Sequence, residues 1–378
     1  MIYRIRINSF LLNHVNPVIL SEIFVISWEM RVTAPMSFSQ ILGQERAKSF
    51  LAQVMAREKI PHAYLFTGIP GIGKTTTAMA LTMALNCQEP VNGDACGHCV
   101  SCRQMKSGNF PDFLSIRPQG QNIRIDQIRD LNRKLGFAPV SGRYRVIVLD
   151  QAETMTTEAA NSLLKTLEEP PPGNILVLKA TEPLDLLPTI VSRCQRVPFQ
   201  PLPVDDMTYW LVKQKGVDAE MAAVLARISG GSLGRALKMC EGDFFDKRQE
   251  WLQRLIRLPG LSREKALEMA LECALEDRKT GSQASETWEV GLMDMLEVWE
   301  TWYRDLLLVR VGGGKHLMIN VDFSHKLKNI AGKLKVQNLI HSILAVDQSQ
   351  RDLRRMRNTK LVMEHAVLSL RRLVEHGR

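Results

Sequence analysis

From Met36 onward, short apolar runs alternate with longer stretches whose apolar residues recur every three or four positions. Residues 36–85, MSFSQILGQERAKSFLAQVMAREKIPHAYLFTGIPGIGKTTTAMALTMAL, carry this pattern in full. Ser39 can cap a first helix, and Gly43 separates it from a longer one with Phe50, Leu51 and Val54 at its apolar positions. Ala63–Phe66 reads as a buried strand, followed by a glycine-rich turn and a helix from about Lys74 to Leu85. A second strand, Tyr144–Leu149, ends at Asp150 and leads into a helical stretch with Leu163, Leu164 and Leu167. A third, Ile175–Ala180, runs into a loop marked by Pro183 and Pro188. Fully apolar strands alternating with helices imply an α/β fold, a parallel sheet covered on both faces.

Beyond Pro203 the strand signal stops. Helical periodicity runs to about Cys240, and a further helical block fills roughly 245–378. The expected division is a sheet domain over 36–202, a small helical domain over 203–243 and an all-helical domain over 244–378. Residues 1–35 show neither period nor turn logic, and they read as a non-native or disordered extension, with translation starting at Met36.

Composition narrows the class. At 378 residues, with 45% apolar and 24% charged, the chain is a soluble globular protein of two or three units. The formal charge of +9 favours a nucleic-acid or acidic partner without establishing one. Only 6% of residues are aromatic, so a stacking platform for single strands is not the obvious mode. The longest apolar stretch, Ser9–Trp28, is broken by Asn13, His14, Asn16, Pro17, Ser21 and Glu22, so it suits neither a membrane span nor a signal peptide. No membrane partner is expected. Without an export signal the seven cysteines belong in a reducing compartment, the cytoplasm, as thiols or metal ligands.

Two local patterns carry chemistry. Gly68-Ile-Pro-Gly-Ile-Gly73-Lys74-Thr75 fits the phosphate-loop pattern G-x4-G-K-[ST], with a strand before it and a helix after. Backbone N–H groups at Gly68, Gly71 and Gly73 can turn toward phosphate oxygens, Lys74 neutralises charge, and Thr75 is a magnesium ligand. Thr76 continues the helix start and joins the expected nucleotide contacts. Asp150, at the end of the second strand, is the expected partner of Thr75 on magnesium. The second pattern is CQEPVNGDACGHCVSC: Cys87, Cys96, Cys99 and Cys102 are spaced to close a tetrahedron around a structural zinc, with Gly93 and Gly97 permitting the tight turns. An iron–sulfur cluster takes four cysteines as well, but nothing nearby suggests electron transfer. His98 is either a spare donor or a solvated turn residue, and Cys194, Cys240 and Cys273 read as ordinary thiols.

These residues resemble the clamp-loader branch of the AAA+ ATPases. The segments that carry the resemblance are ILGQERAKSFL (41–51), the phosphate loop, the cysteine insertion, NFPDF (109–113), IRIDQIRDL (123–131) and GRYRVIVLD (142–150). Added to these are AANSLLKTLEEPP (159–171), LLPTIVSRCQRVPF (186–199) and GGSLGRAL (230–237). Residues 36–240 match well and the helical tail weakly. The resemblance implies a P-loop AAA+ sheet domain with a zinc insertion, a small helical lid and an all-helical collar. It implies ATP with magnesium as ligand, and a pentameric ring with the gamma/tau and delta subunits of DNA polymerase III. Such a ring opens the sliding clamp and places it on primed DNA. In the family, the Arg of the Ser-Arg-Cys motif, here Arg193, is an arginine finger acting in trans on a neighbour's ATP. Thr181 falls near the sensor position for the γ-phosphate.

Two positions depart from the family pattern. Where its ATPases place Glu after the magnesium Asp, this chain has Gln151, an amide that binds water but does not take its proton. Glu153, two residues on, is expected to point elsewhere. The lid arginine slot holds Gly234, with Arg235 one helix step of roughly 100 degrees away. Both changes imply a subunit that binds nucleotide and turns it over poorly. The rivals are an active gamma/tau-type motor of the same machine and an AAA+ helicase or branch-migration ring. The basic stretch RDLRRMRNTK (351–360) reads as a solvated helix face before a DNA contact. Trp288, Trp299, Trp302 and Tyr303 read as core or subunit-contact residues.

Overall fold

The computed structural model describes residues 37–280, 291–355 and 357–375. The expectation for residues 1–35 and the one for Trp288 lie outside them. The chain forms two compact units, one up to Gln200 and one from Pro201.

The first unit is a five-stranded, wholly parallel sheet. Its elements are α1 (Glu45–Ala56), β1 (Ala63–Thr67), α2 (Lys74–Asn86), α3 (Val100–Lys106), β2 (Phe113–Ile116) and α4 (Ile125–Leu135). They continue with β3 (Arg145–Leu149), α5 (Thr157–Glu168), β4 (Asn174–Ala180), α6 (Pro188–Val191) and β5 (Gln195–Pro198). The strand order is β2-β3-β4-β1-β5. Leu178 of β4 pairs with Leu65 of β1 on one side and Leu149 of β3 on the other.

Side chains alternate between the two faces with the strand period of two. Tyr64, Phe66, Val146, Val148, Ile175 and Val177 pack with Met79, Ala80 and Met83 of α2 on one face. On the other, Leu65, Ile147, Leu149, Leu176 and Leu178 pack with Ile128 and Leu131 of α4 and with Leu163 and Leu167 of α5. Both faces are covered, which is why β1, β3 and β4 are buried along their whole length and mostly apolar, Arg145, Asn174 and Lys179 being the long polar exceptions.

Two strands escape the sequence reading. β2 and β5 are four residues long and lie at the sheet edges, and only one residue of each is fully buried. An edge strand packed on one side carries no apolar run to recognise. The amino-terminal turn also differs from expectation. Residues Phe38–Gln40 form a single 3-10 turn, and neither Ser37 nor Ser39 caps it. The cap is Asp94 from the cysteine insertion, whose carboxylate accepts the N–H groups of Phe38 and Ser39, both at 3.2 Å.

Asp112 fixes the approach to β3. It is fully buried and accepts the N–H groups of Val140, Ser141 and Gly142 at 2.7–2.8 Å, with Arg145 Nε 3.4 Å away.

The second unit is helical throughout its described residues. It comprises α7 (Val204–Trp210), α8 (Ala219–Ile228), α9 (Leu233–Glu241), α10 (Phe244–Arg257), α11 (Arg263–Thr280), α12 (Leu292–Arg310), α13 (Ser324–Ala331), α14 (Val336–Arg354) and α15 (Thr359–Glu375). A π-turn, Leu211–Lys215, prolongs α7, and Asp218 caps α8 by accepting the N–H of Glu220 at 3.0 Å. Trp299, Trp302 and Tyr303 are buried on α12, and Trp299 Nε1 donates to the carbonyl of Trp251 at 3.2 Å. A polar knot sits beside them. Arg248 makes a bidentate pair with Asp322 at 2.7 and 2.9 Å and donates to Asn320, while fully buried Asp305 accepts the N–H of Asn320 at 2.7 Å. In the basic stretch, Arg351 pairs with Asp347, Arg357 with Asp352 and Lys360 with Glu364, as a solvated helix surface does. No described helix is long and apolar enough to cross a membrane.

Candidate functional site

The phosphate loop joins β1 to α2. Gly68 has φ +141°, and a Cβ there would meet the carbonyl of Phe199 at 2.8 Å, so no other residue fits without rebuilding the loop. Its N–H is bonded to the carbonyl of Thr181 at 2.9 Å, tying the loop to the end of β4. Gly71 and Gly73 also take positive φ, and α2 begins at Lys74. Thr76 lies in the first turn of α2.

Lys74 is folded into the loop. It is 8% exposed, and its ammonium donates to the carbonyl of Gly68 and, at 3.2 Å, to that of Ile69. Burial, and then the nearby Lys179 charge, pull its pKa down to about 8.

Thr75 and Asp150 do come together, but around a side chain that the sequence reading missed. Lys179 Nζ lies 2.6 Å from Asp150 Oδ1 and donates to Thr75 Oγ1. Its side chain is 7% exposed and that of Asp150 is 26%. Strand alternation explains the geometry: Lys179 shares the α2 face of β4 with Ile175 and Val177, directly below the start of α2. Burial lowers the Lys179 pKa, and Asp150 pulls it back up. The expected magnesium site therefore already holds a cation. A divalent ion on the same two oxygens would stand against that ammonium, two like charges at one largely buried position, which is strongly unfavourable. As arranged, these residues do not fit magnesium. The legible signal was a single lysine in the otherwise apolar run Ile175–Ala180.

Glu153 is also closer than expected. Gln151 takes φ +52° and an exposed position, and a 3-10 turn over Ala152–Thr154 follows. That reversal brings the Glu153 carboxylate within 3.4 Å of Thr181 Oγ1 and into the field of Lys74.

Arg193 stands at the surface after α6, with its side chain 35% exposed. Its guanidinium is held 2.6 Å from Glu168 and donates to the carbonyl of Thr189 at 3.0 Å. Arg235, in the second unit, pairs with Glu297 of α12. Cys194 beside Arg193 is buried, and burial raises its thiol to about 12, as suits an inert core group.

The cysteine insertion bulges between α2 and β2. The Sγ atoms of Cys87, Cys96, Cys99 and Cys102 all lie within 4.8 Å of one another. Cys96 and Cys102 are 4.0 Å apart, and Cys87 and Cys102 are 3.8 Å apart. Thiolates at about 2.3 Å from a tetrahedral zinc stand about 3.8 Å from each other, so this cage fits the ion. Backbone N–H groups already point at sulfur, from Cys96 to Cys87 and from Cys99 to Cys96, each at 3.3 Å. Such donors steady thiolate charge. The backbone N–H of His98 is the main reason that the Cys96 thiol is drawn down to about 6. The imidazole of His98 turns outward, 3.1 Å from Glu89.

Comparison with known proteins places the chain in a family. Residues 43–203 match the family described as DNA polymerase III, delta subunit. The chain is similar to DNA polymerase III subunit delta' of Bacillus subtilis, at 30% identity over 86% of this chain and 96% of that protein. It is similar to subunit tau of the same organism at 28% identity, covering 90% of this chain and 62% of tau. Among solved structures, a DNA polymerase III gamma subunit-related protein from Thermotoga maritima aligns at 20% identity and a TM-score of 0.36, over 85% of this chain and 98% of that one. With a relative 30% identical along nearly its whole length, the chain belongs to the delta-prime family of DNA polymerase III clamp-loader subunits.

Proposed function

We propose that this chain is the delta-prime-type member of a cytoplasmic clamp-loader ring. It assembles with gamma/tau and delta subunits and supplies Arg193 to a neighbour's nucleotide, so that the ring can open a sliding clamp and set it on primed DNA. The observation that carries the reading is Arg193, presented at the surface and pre-aimed by Glu168 and Thr189 instead of packed inward. A fixed guanidinium can stabilise phosphoryl-transfer charge across a subunit boundary. The chain's own phosphate loop binds a nucleoside triphosphate and turns it over slowly, because Gln151 takes no proton from water. Cys87, Cys96, Cys99 and Cys102 hold a structural zinc, which supplies a cross-link for the insertion and no catalysis.

The test has two parts. Tagged chain should co-elute with gamma/tau and delta. In the assembled loader, Arg193→Ala should lower ATP turnover by about 10³-fold at the affected site, the low end for an arginine finger, with this chain's own nucleotide affinity unchanged. Unaltered turnover would remove the finger from Arg193.

The second reading, an active motor, draws on Glu153, a carboxylate at the loop mouth where the sequence left only an amide. Turnover near 1 per second by the isolated chain, the low end for ordinary enzymes, would establish it. The expected rate is far lower.

A further inference from the structure

We infer that Lys179 is a tethered cation standing in the magnesium position of the phosphate loop, so that this chain takes its nucleoside triphosphate free of any divalent ion. The inference rests on the phosphate-loop reading of the site. It goes beyond that reading by naming the form of the ligand.

The position is built, not incidental. Lys179 lies on the central strand β4, paired with Phe66 of β1 and one residue past the last β3 pair, Leu149 with Leu178, at a buried position where an ammonium costs several kcal/mol of hydration unless it is paired. It is paired with Thr75 and Asp150, the two residues whose pattern specifies magnesium. Thr75 comes from the first turn of α2 and Asp150 from the tip of β3, so one side chain bridges the two elements a bound metal would bridge. An ammonium has three donors, and Thr75 and Asp150 take two of them. The remaining donor serves a phosphate oxygen. Lys74 provides a second ammonium from the loop itself. Magnesium demands octahedral oxygen ligands at 2.0–2.1 Å and gives up water reluctantly. A lysine already seated on its only two protein oxygens removes both the ligands and the charge that would draw it in.

The experiment is calorimetric titration of the full-length chain with ATP, in buffer stripped of divalent ions over chelating resin and again with magnesium added. Metal analysis of the same samples checks that zinc is retained. The wild-type affinity should be highest in the stripped buffer and fall when magnesium is added, since magnesium complexes ATP in solution and the chain takes the metal-free form. Lys179→Ala should lose at least tenfold in the stripped buffer and recover when magnesium is added, because Thr75 and Asp150 are then open to it. Manganese, added as a paramagnetic probe with ATP, should show spectral broadening on the variant and not on the wild type. A wild-type affinity that falls tenfold without magnesium would overturn the assignment, and so would an absence of ATP binding in both buffers. The wild-type titrations need no variant, so they decide the matter even where Lys179→Ala folds poorly. Co-elution with the other loader subunits is scored separately, and its failure would strike the ring reading and not this one.

Discussion

The cysteine insertion and the phosphate-loop mouth both gather ligands for a cation, and they do so in opposite ways. In the insertion, four sulfurs within 4.8 Å of one another, with N–H groups aimed at them, form a cage whose dimensions are those of a zinc site. At the loop mouth, Thr75 and Asp150 also converge, but on the protein's own Lys179, which satisfies them. One region concentrates thiols whose charge calls for a metal. The other is neutralised from within. Residue types at the right spacing are thus a necessary condition for a metal site, and the local charge balance decides whether the ion enters.

The sharpest way to break this contrast is to remove a sulfur. Cys102→Ser should reduce bound zinc from about one equivalent to almost none by elemental analysis, since structural zinc sites are worth roughly 10–16 kcal/mol of apparent binding free energy. Iron in fresh protein would refute the zinc assignment. The α4 and α5 face of the sheet should keep its amide protection, because that apolar layer includes none of the cage, and any loosening should be confined to the α2 face, whose layer contains Cys99 and Cys102.

Asp150→Asn tests the other side. The ammonium stays buried and loses its charge partner. Breaking a fully buried pair costs about 3–5 kcal/mol, and the quarter-exposed carboxylate brings the expected loss to about 1–3 kcal/mol in denaturant unfolding. A loss below about 0.5 kcal/mol, typical of surface pairs, would mean that Lys179 is not held as described. Lys179→Met should be milder, within about 1 kcal/mol, because an apolar chain suits that strand face and Asp150 can turn to water.

A similarly small effect belongs to the link between the insertion and the rest. Asp94→Ala removes the acceptor that caps the turn at Phe38–Gln40 and should cost about 1 kcal/mol, the usual value of a cap. Amide exchange at Phe38 and Ser39 should speed up while the core strands stay protected. Unchanged exchange there would show that the insertion and the amino-terminal turn are independent.

What was legible follows from the same contrast. The cage spans sixteen consecutive positions, so its spacing stands in the text of the chain. The three central strands were legible because burial on both faces leaves each with an apolar run, and the edge strands β2 and β5 were not because one side of each is open. Lys179 was hidden by distance. It meets Thr75 across 104 residues of sequence, and only the pairing of β4 between β1 and β3 brings them together. Glu153 was misplaced for a related reason: the left-handed turn at Gln151 redirects a carboxylate whose heading cannot be read from a non-glycine residue. Arg235 had one visible clue, its offset from the lid slot, and its pairing with Glu297 gives that offset a use.

The place of β4 in the sheet has a consequence for how the chain comes off the ribosome. It is the strand that separates β1 from β3, yet it is made after both. At about 5–20 residues per second, the roughly 107 residues between Thr67 and Asn174 take roughly 5–20 seconds to synthesise. Until β4 is made, the phosphate loop has no Thr181 carbonyl to anchor Gly68, and β2 and β3, once both have emerged, can pair with each other but not with β1. The nascent chain therefore exposes two unpaired inner strand edges, the kind of surface that chaperones cover. Emergence of a single seven-residue segment then joins the two halves and seats the ammonium between Thr75 and Asp150 in the same event.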